Sequence, residues 1–216
     1  MSALDYQNGD DAKSEKRSRF RLKLFGPSRE KVWRALAAEM GARYVEPKWW
    51  GGDRVMAEVG QWEIVLDWYH ANKVTYTRMR APYVNADGFR FHLFRKHILS
   101  GVAEWLGFQD VRIGEAAFDD AFVVRGNDEA KLRALLARPR LRALLEAQPE
   151  VSLRVVDDEG FFRKKFPAGV DKLEFIVVGV IKDIDRLKLL YELFAETLQA
   201  LCEMGSAYED HPGVRL

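Results

Sequence analysis

The apolar pattern of the chain predicts an α+β protein, with helices grouped beside antiparallel meanders rather than alternating with parallel strands. Three observations carry this. A capped helix followed by short alternating strands occurs twice, once from Ser28 and once from Asn127, which reads as a pseudo-repeat. Apolar and polar residues alternate with period two, as in Trp62, Ile64, Leu66 and Trp68 against Glu63 and Asp67. Near the C-terminus Ile184, Leu187, Tyr191, Phe194, Leu198 and Leu201 recur at steps of three and four. Residues 184–204 therefore read as one amphipathic helix about 30 Å long, packed on a sheet. The predicted organisation is a flexible tail (1–18), a first helix/meander lobe (19–107), a second helix/meander lobe (108–205) and a short frayed tail (206–216).

The elements follow in order. Residues 19–25 alternate Arg19, Arg21 and Lys23 with Phe20, Leu22 and Leu24, the mark of a strand with one solvated face. Ser28 caps a helix over Arg29–Met40, and Gly41 ends it; Val32, Trp33, Leu36, Ala37 and Met40 form its buried stripe. A strand over Arg54–Val59 meets the Trp62 strand through a tight Gly60-Gln61 turn. A Thr- and Tyr-rich strand at 74–81 is closed by Pro82, and residues 85–88 form a turn. Phe89, Phe91 and Leu93 then alternate with Arg90 and His92. A linking helix is predicted at 98–106, and short strands at 111–113 and 121–124.

The second unit opens with Asn127 as N-cap and Asp128 and Glu129 in the first turn, where the helix dipole favours anions. Leu132, Leu135 and Leu136 continue, after a break at Arg138-Pro139, as Leu141, Leu144 and Leu145. Strands at 151–156, 161–166 and 172–181 complete the unit. The last is apolar on both faces near its end, which predicts a central strand covered twice.

Composition narrows the function classes. The 216 residues are 48% hydrophobic, enough for a core without metal or disulfide staples. With 34 basic and 33 acidic residues the net charge is +1, against a globally basic nucleic-acid binder but not against a local basic face. Cys202, the single cysteine, lies on an amphipathic helix and cannot form an intramolecular disulfide. The N-terminus lacks an apolar signal region, and the longest apolar run, 175–181, is short of the ~20 residues that span a bilayer. The expectation is a cytoplasmic protein without a membrane anchor.

Reactive motifs do not stand out. His92 and His97 are five apart, without the Cys or acidic spacing of a zinc site. Asp119 and Asp120 are adjacent before a predicted strand, so they point to opposite faces and read as a turn. No nucleophile elbow, phosphate loop or dinucleotide fingerprint occurs, and no cofactor or metal is predicted.

Two patterns suggest binding. Basic and aromatic residues interleave on several strands: Arg19 and Arg21; Arg78 and Arg80; Arg90, Arg95 and Lys96 beside Phe89, Phe91 and Phe94; Arg163 and Lys164 between Phe162 and Phe166. If these converged, the surface would suit phosphate contacts and base stacking. The competing reading is a half-buried sheet whose cations are neutralised across strands by Glu63, Asp67 and Glu174. Second, Trp49 and Trp50 are adjacent in a predicted loop, where one plugs the core and the other meets a partner.

The stretch Ala117-Phe118-Asp119-Asp120-Ala121-Phe122-Val123-Val124-Arg125-Gly126-Asn127-Asp128, with Leu135-Leu136, Leu141 and Leu144-Leu145, resembles a segment of an uncharacterised bacterial domain family. That family pairs a short F-D-x-x-F-x-V strand with a helix and a three-stranded meander. The resemblance covers about the last half of the chain and implies a bacterial cytosolic setting. The family has no established activity, so it assigns no catalytic residue.

Together these readings favour a non-enzymatic binding or protein-interaction module, self-association included. The alternative is a nucleic-acid-binding protein that uses the basic and aromatic strand faces. No membrane contact is expected in either case.

Overall fold

The computed structural model describes residues 27–46, 52–97, 108–157, 165–214 and 216. Expectations for the tail at 1–18, the strand at 19–25 with Arg19 and Arg21, Trp49 and Trp50, the helix at 98–106, and Arg163 and Lys164 lie outside these residues.

Helix α1 (Arg29–Met40) has the predicted bounds because its signals are local. The Ser28 hydroxyl accepts from the Lys31 amide at 3.3 Å, and Gly41 closes the helix at φ 64°. Strands β1 (Arg43–Val45), β2 (Arg54–Val59), β3 (Trp62–Ala71) and β4 (Val74–Asn85) follow as a meander. Two-residue turns set its register. Gly60 sits at φ 59° between β2 and β3, and Asn72 and Lys73 both take positive φ (50° and 65°) between β3 and β4.

Strand β4 runs through Pro82 instead of ending there. Asn85 donates its amide to Gly169 on the β9 side, so by alternation residue 82 turns its backbone groups the other way. On that side the β3 ladder ends at the Val65–Arg80 pair, and β10 joins only at Val84. A residue without an N–H fits that gap.

Then come β5 (Phe91–Arg95), β6 (Gln109–Asp110), α2 (Ala116–Ala121), β7 (Phe122–Gly126), α3 (Glu129–Leu136), α4 (Pro139–Glu146), β8 (Ser152–Val156), β9 (Val170–Val178), α5 (Ile184–Glu203) and β10 (Ala207–Tyr208). Three local expectations change. Residues 116–121 form a helix, so Phe118 and Asp119 of the F-D-x-x-F-x-V stretch are helical, and the strand starts at Phe122. The short strand expected at 111–113 is instead Gln109–Asp110. The N-cap of α3 is Asp128, which accepts from the Lys131 amide; Asn127 is drawn away to bond Arg90 N and Gly88 O.

Among the described residues after α5, Ala207 and Tyr208 pair with β4, Ser206 donates its hydroxyl to Asp87, and Arg54 reaches the Leu216 carbonyl.

All pairings are antiparallel, in a ten-stranded sheet of order β1-β2-β3-β4-β9-β8-β5-β7-β6, with β10 on β4. The fold is α+β, with the long C-terminal helix packed on the sheet. Strands of the predicted lobes interleave: β4 and β9 pair from Tyr76–Val178 to Val84–Val170, and β5 sits between β8 and β7.

One face of the sheet meets α5, which packs against α1, α3 and α4. Leu66, Met79, Leu93, Leu153, Leu173 and Phe175 join Leu187, Leu190, Phe194 and Leu198 in one buried cluster. Each such side chain contributes roughly 1.5–3 kcal/mol on burial. The indole of Trp33 donates to the Ile181 carbonyl and Tyr191 to that of Val55, which satisfies the polar ends of two core aromatics.

Candidate binding face of the sheet

The face turned away from these helices is where the charges gather. Register places one residue from each of nine strands in a single row: Arg43, Met56, Val65, Arg80, Glu174, Arg154, His92, Arg125 and Asp110. Directly opposed residues in an antiparallel pair share a face, so the row follows from pairing alone. Two flanking rows add Asp67, Arg78 and Ile176 on one side and Pro82, Lys172 and Val156 on the other.

The middle of this far face is dry. Lys172 is 0% exposed, Glu174 2%, His92 2% and Arg80 7%. Charges at that depth are normally paired. Asp67 accepts both forks of Arg78 (2.9 and 2.9 Å) and also pairs with Arg80. Glu174 accepts Arg154 Nε and Nη2 (2.8 and 2.7 Å) and pairs with Lys172 at 2.8 Å. The cross-strand pairing foreseen for Asp67 and Glu174 takes place.

The titration behaviour follows from this packing. Burial lowers the Lys172 pKa, with Glu174 opposing, and lowers that of Arg80, with Asp67 opposing. Burial alone would raise Glu174, but Arg154 and Lys172 hold its carboxyl below the ordinary value. For His92, burial and then Arg154 and Arg125 push the pKa down to about 3. Its ring is therefore neutral at physiological pH, tilted against Phe94 (4.7 Å between centroids) and 3.0 Å from the Ser152 hydroxyl. A histidine and a serine at this spacing could form a base–nucleophile pair. A base with so low a pKa activates a hydroxyl weakly, and both residues are buried.

At one end the face opens to solvent. Tyr69, Tyr76 and Val178 oppose one another across β3, β4 and β9. The two tyrosine rings stack at 5.0 Å and 11°, the Arg78 guanidinium lies 4.9 Å from the Tyr69 ring, and Val178 is 63% exposed.

Of the predicted nucleic-acid residues that the structure describes, Arg78 and Arg80 lie on this surface. Arg90 instead grips Asp171 (3.1 and 3.0 Å) and pairs with Asp157 at 3.2 Å. Arg95 donates to the Gln148 and Glu146 carbonyls behind α4 and covers the Phe122 ring. Lys96 stands exposed in the turn after β5. Asp119 spends both carboxylate oxygens on the Ile113 and Gly114 amides, a loop brace.

Sequence reasoning missed Lys172 and Arg154. For Lys172 a signal was present: Asp171, Lys172 and Glu174 sit inside a strand otherwise apolar enough to be central. It also missed a second buried charge cluster, on the helix side of the sheet. Asp53 accepts Arg29 (2.7 Å), Trp68 Nε1 (2.8 Å) and Tyr44 Oη (3.0 Å). These donors hold its carboxyl below the ordinary value against the effect of burial. Gly52 lets the indole approach, since a Cβ there would lie 2.8 Å from Trp68 Nε1.

Among the described residues no group of acidic, histidine or cysteine side chains is placed to hold a metal ion, and no helix is long and apolar enough to cross a membrane. No family model and no curated protein matches the chain in sequence. A fold likeness is found to the crystal structure of the mycobacterial trehalose monomycolate transport factor A, TtfA. It has a TM-score of 0.52 at 10% identity, covering 80% of this chain and 94% of that one. At that identity the likeness speaks for the α+β fold alone.

Proposed function

We propose that the chain is a non-enzymatic binding module, acting in a bacterial cytoplasm, that receives its partner on the far face of the sheet. The observation that supports this most is the row of half-buried Tyr69 and Tyr76 with exposed Val178, beside Arg78 and the cation-rich band. Aromatic residues and arginine are the side chains that anchor protein interfaces. The protein whose fold is similar is a transport factor, a role compatible with binding rather than turnover. The nucleic-acid alternative draws less support, since Arg78, Arg80, Arg90 and Arg95 are each engaged within the chain and point to different sides.

Site-specific photocrosslinking in cells tests the reading. A photoreactive side chain at Val178 should give a discrete adduct, while one at Glu192, exposed on α5, should not. Equal labelling from both positions, or none from Val178, contradicts it. A ladder of adducts of uniform mass spacing would identify self-association.

A further inference from the structure

Among the described residues, Val178 and Tyr208 are the large apolar side chains left exposed, and both belong to the far face, at opposite ends of β4. Tyr208 opposes Val84, which shares that face with Arg80 and Pro82 by alternation. Beyond Tyr208 the chain cannot stay in the plane of the sheet, because β10 lies on the side of β4 that β3 occupies from the Val65–Arg80 pair onward. It returns to the sheet on the far face, where Arg54 Nη1 donates to the Leu216 carbonyl at 2.9 Å. Arg54 belongs to that face because Val55 and Ala57 are buried toward the helices. Val55 opposes Leu66, so Arg54 lies level with Asp67, one step along the face from Tyr69.

The span fixes the route. From Val84 to the level of Arg78, which opposes Asp67, is about 20 Å along β4, and β2 lies about 10 Å to the side, a path of about 22 Å. Residues 209–216 reach at most about 29 Å when fully extended, and Gly213, at φ 70°, bends them. They therefore follow the face closely, with Pro212 buried and Val214 half-buried. The two ends of this segment are held unequally. Up to Tyr208 the chain is fastened by β10, by backbone bonds of Ser206 with Leu201 and Ala86, and by the Ser206 hydroxyl on Asp87. Past Tyr208 the hydrogen bonds among the described residues are those of the Gly213 amide to His211 Nδ1 and of Arg54 to Leu216. A segment with few buried contacts and few hydrogen bonds opens at low cost, whatever the global stability.

We propose that residues 209–216 are a releasable strap over the far face, latched by Arg54, which competes with the partner for that face. Closed, the strap lies over the far side of the β2–β4 meander and leaves Tyr208 exposed at one end and Val178 at the other. Opening gives up the Arg54 hydrogen bond and uncovers the strands between. This rests on the reading of the far face as a partner surface and adds how entry to it is controlled.

NMR relaxation and crosslinking test it on the full chain. In wild type the Gly213 and Val214 amides should show order parameters near the ~0.85 of rigid backbone, and in Arg54→Met they should fall below about 0.6. Arg54→Met should melt within about 2 °C of wild type, since Arg54 is half-exposed and a single contact is lost. The adduct from a photoreactive side chain at Val178 should rise about 3- to 10-fold in R54M, the shift that one lost hydrogen bond makes in a closing equilibrium. Pro212→Ser, which takes away the segment's buried side chain, should do the same, and it decides the matter should R54M not fold. Order parameters below about 0.6 already in wild type, unchanged values in the variants, or an adduct of unchanged yield overturns the strap and leaves the partner surface standing. No adduct from any of the chains removes the partner surface, and the competition with it.

Discussion

Two buried charge clusters lie on opposite sides of one sheet and are built differently. Around Asp53, one carboxylate is surrounded by donors that match it: a guanidinium, an indole N–H and a phenol. On the far face, Arg78, Arg80, Lys172 and Arg154 gather round Asp67 and Glu174, and Arg80 Nε is buried without a hydrogen bond. The first arrangement gives each of these donors an acceptor and fastens α1 and the start of β2 to β3. The second leaves a buried donor without one. The lesson is that burial of charge does not mark a functional site. The balance of donors and acceptors does.

The largest expected effect breaks the complete cluster. Asp53→Ala should cost about 3 kcal/mol in urea unfolding, because Trp68 Nε1 and Tyr44 Oη lose their acceptor and Arg29 its partner. A cost below about 1 kcal/mol would mean that these donors find water easily, and the contrast between the clusters would weaken.

The next effect is a pH dependence carried by His92. The folded imidazole stays neutral down to about 3, while the unfolded one takes a proton near the ordinary 6.5. Between those values the unfolded state binds more protons, so stability falls as pH falls and is fully present above 6.5. The loss should reach about 2 kcal/mol by pH 5. His92→Gln should flatten the melting-temperature profile between pH 5 and 7; an unchanged slope would show that the ring is reached by water. Asp53 and Glu174, both held below their ordinary values of 3.8 and 4.5, add a separate loss below about pH 4.

The smallest stability effect concerns the exposed row. Val178→Ser should change unfolding by no more than about 0.5 kcal/mol, since the side chain is 63% exposed. A loss of crosslinking at Tyr76 in that variant would separate binding from folding.

The chain announced most of its fold and little of its site, for a physical reason. Helix α1 is framed by Ser28 and Gly41, and α5 by an apolar stripe, all within a few residues of the element they specify. Pro82 misled because its meaning depends on which neighbour a strand has at that point, and β3 and β10 are set by distant pairing. The far-face row is assembled from nine strands, with partners such as Arg80 and Glu174 far apart in sequence. No local spacing records that meeting. Arg90 and Arg95 resembled Arg78 and Arg80 in sequence, but Asp171 and the carbonyls behind α4 claim them.

The most direct test of the far face as a binding surface compares photocrosslinking from Val178, exposed on that face, and from Glu192, exposed on α5. The account predicts a discrete adduct from Val178 and none from Glu192. Equal labelling from both positions, or none from Val178, would contradict it.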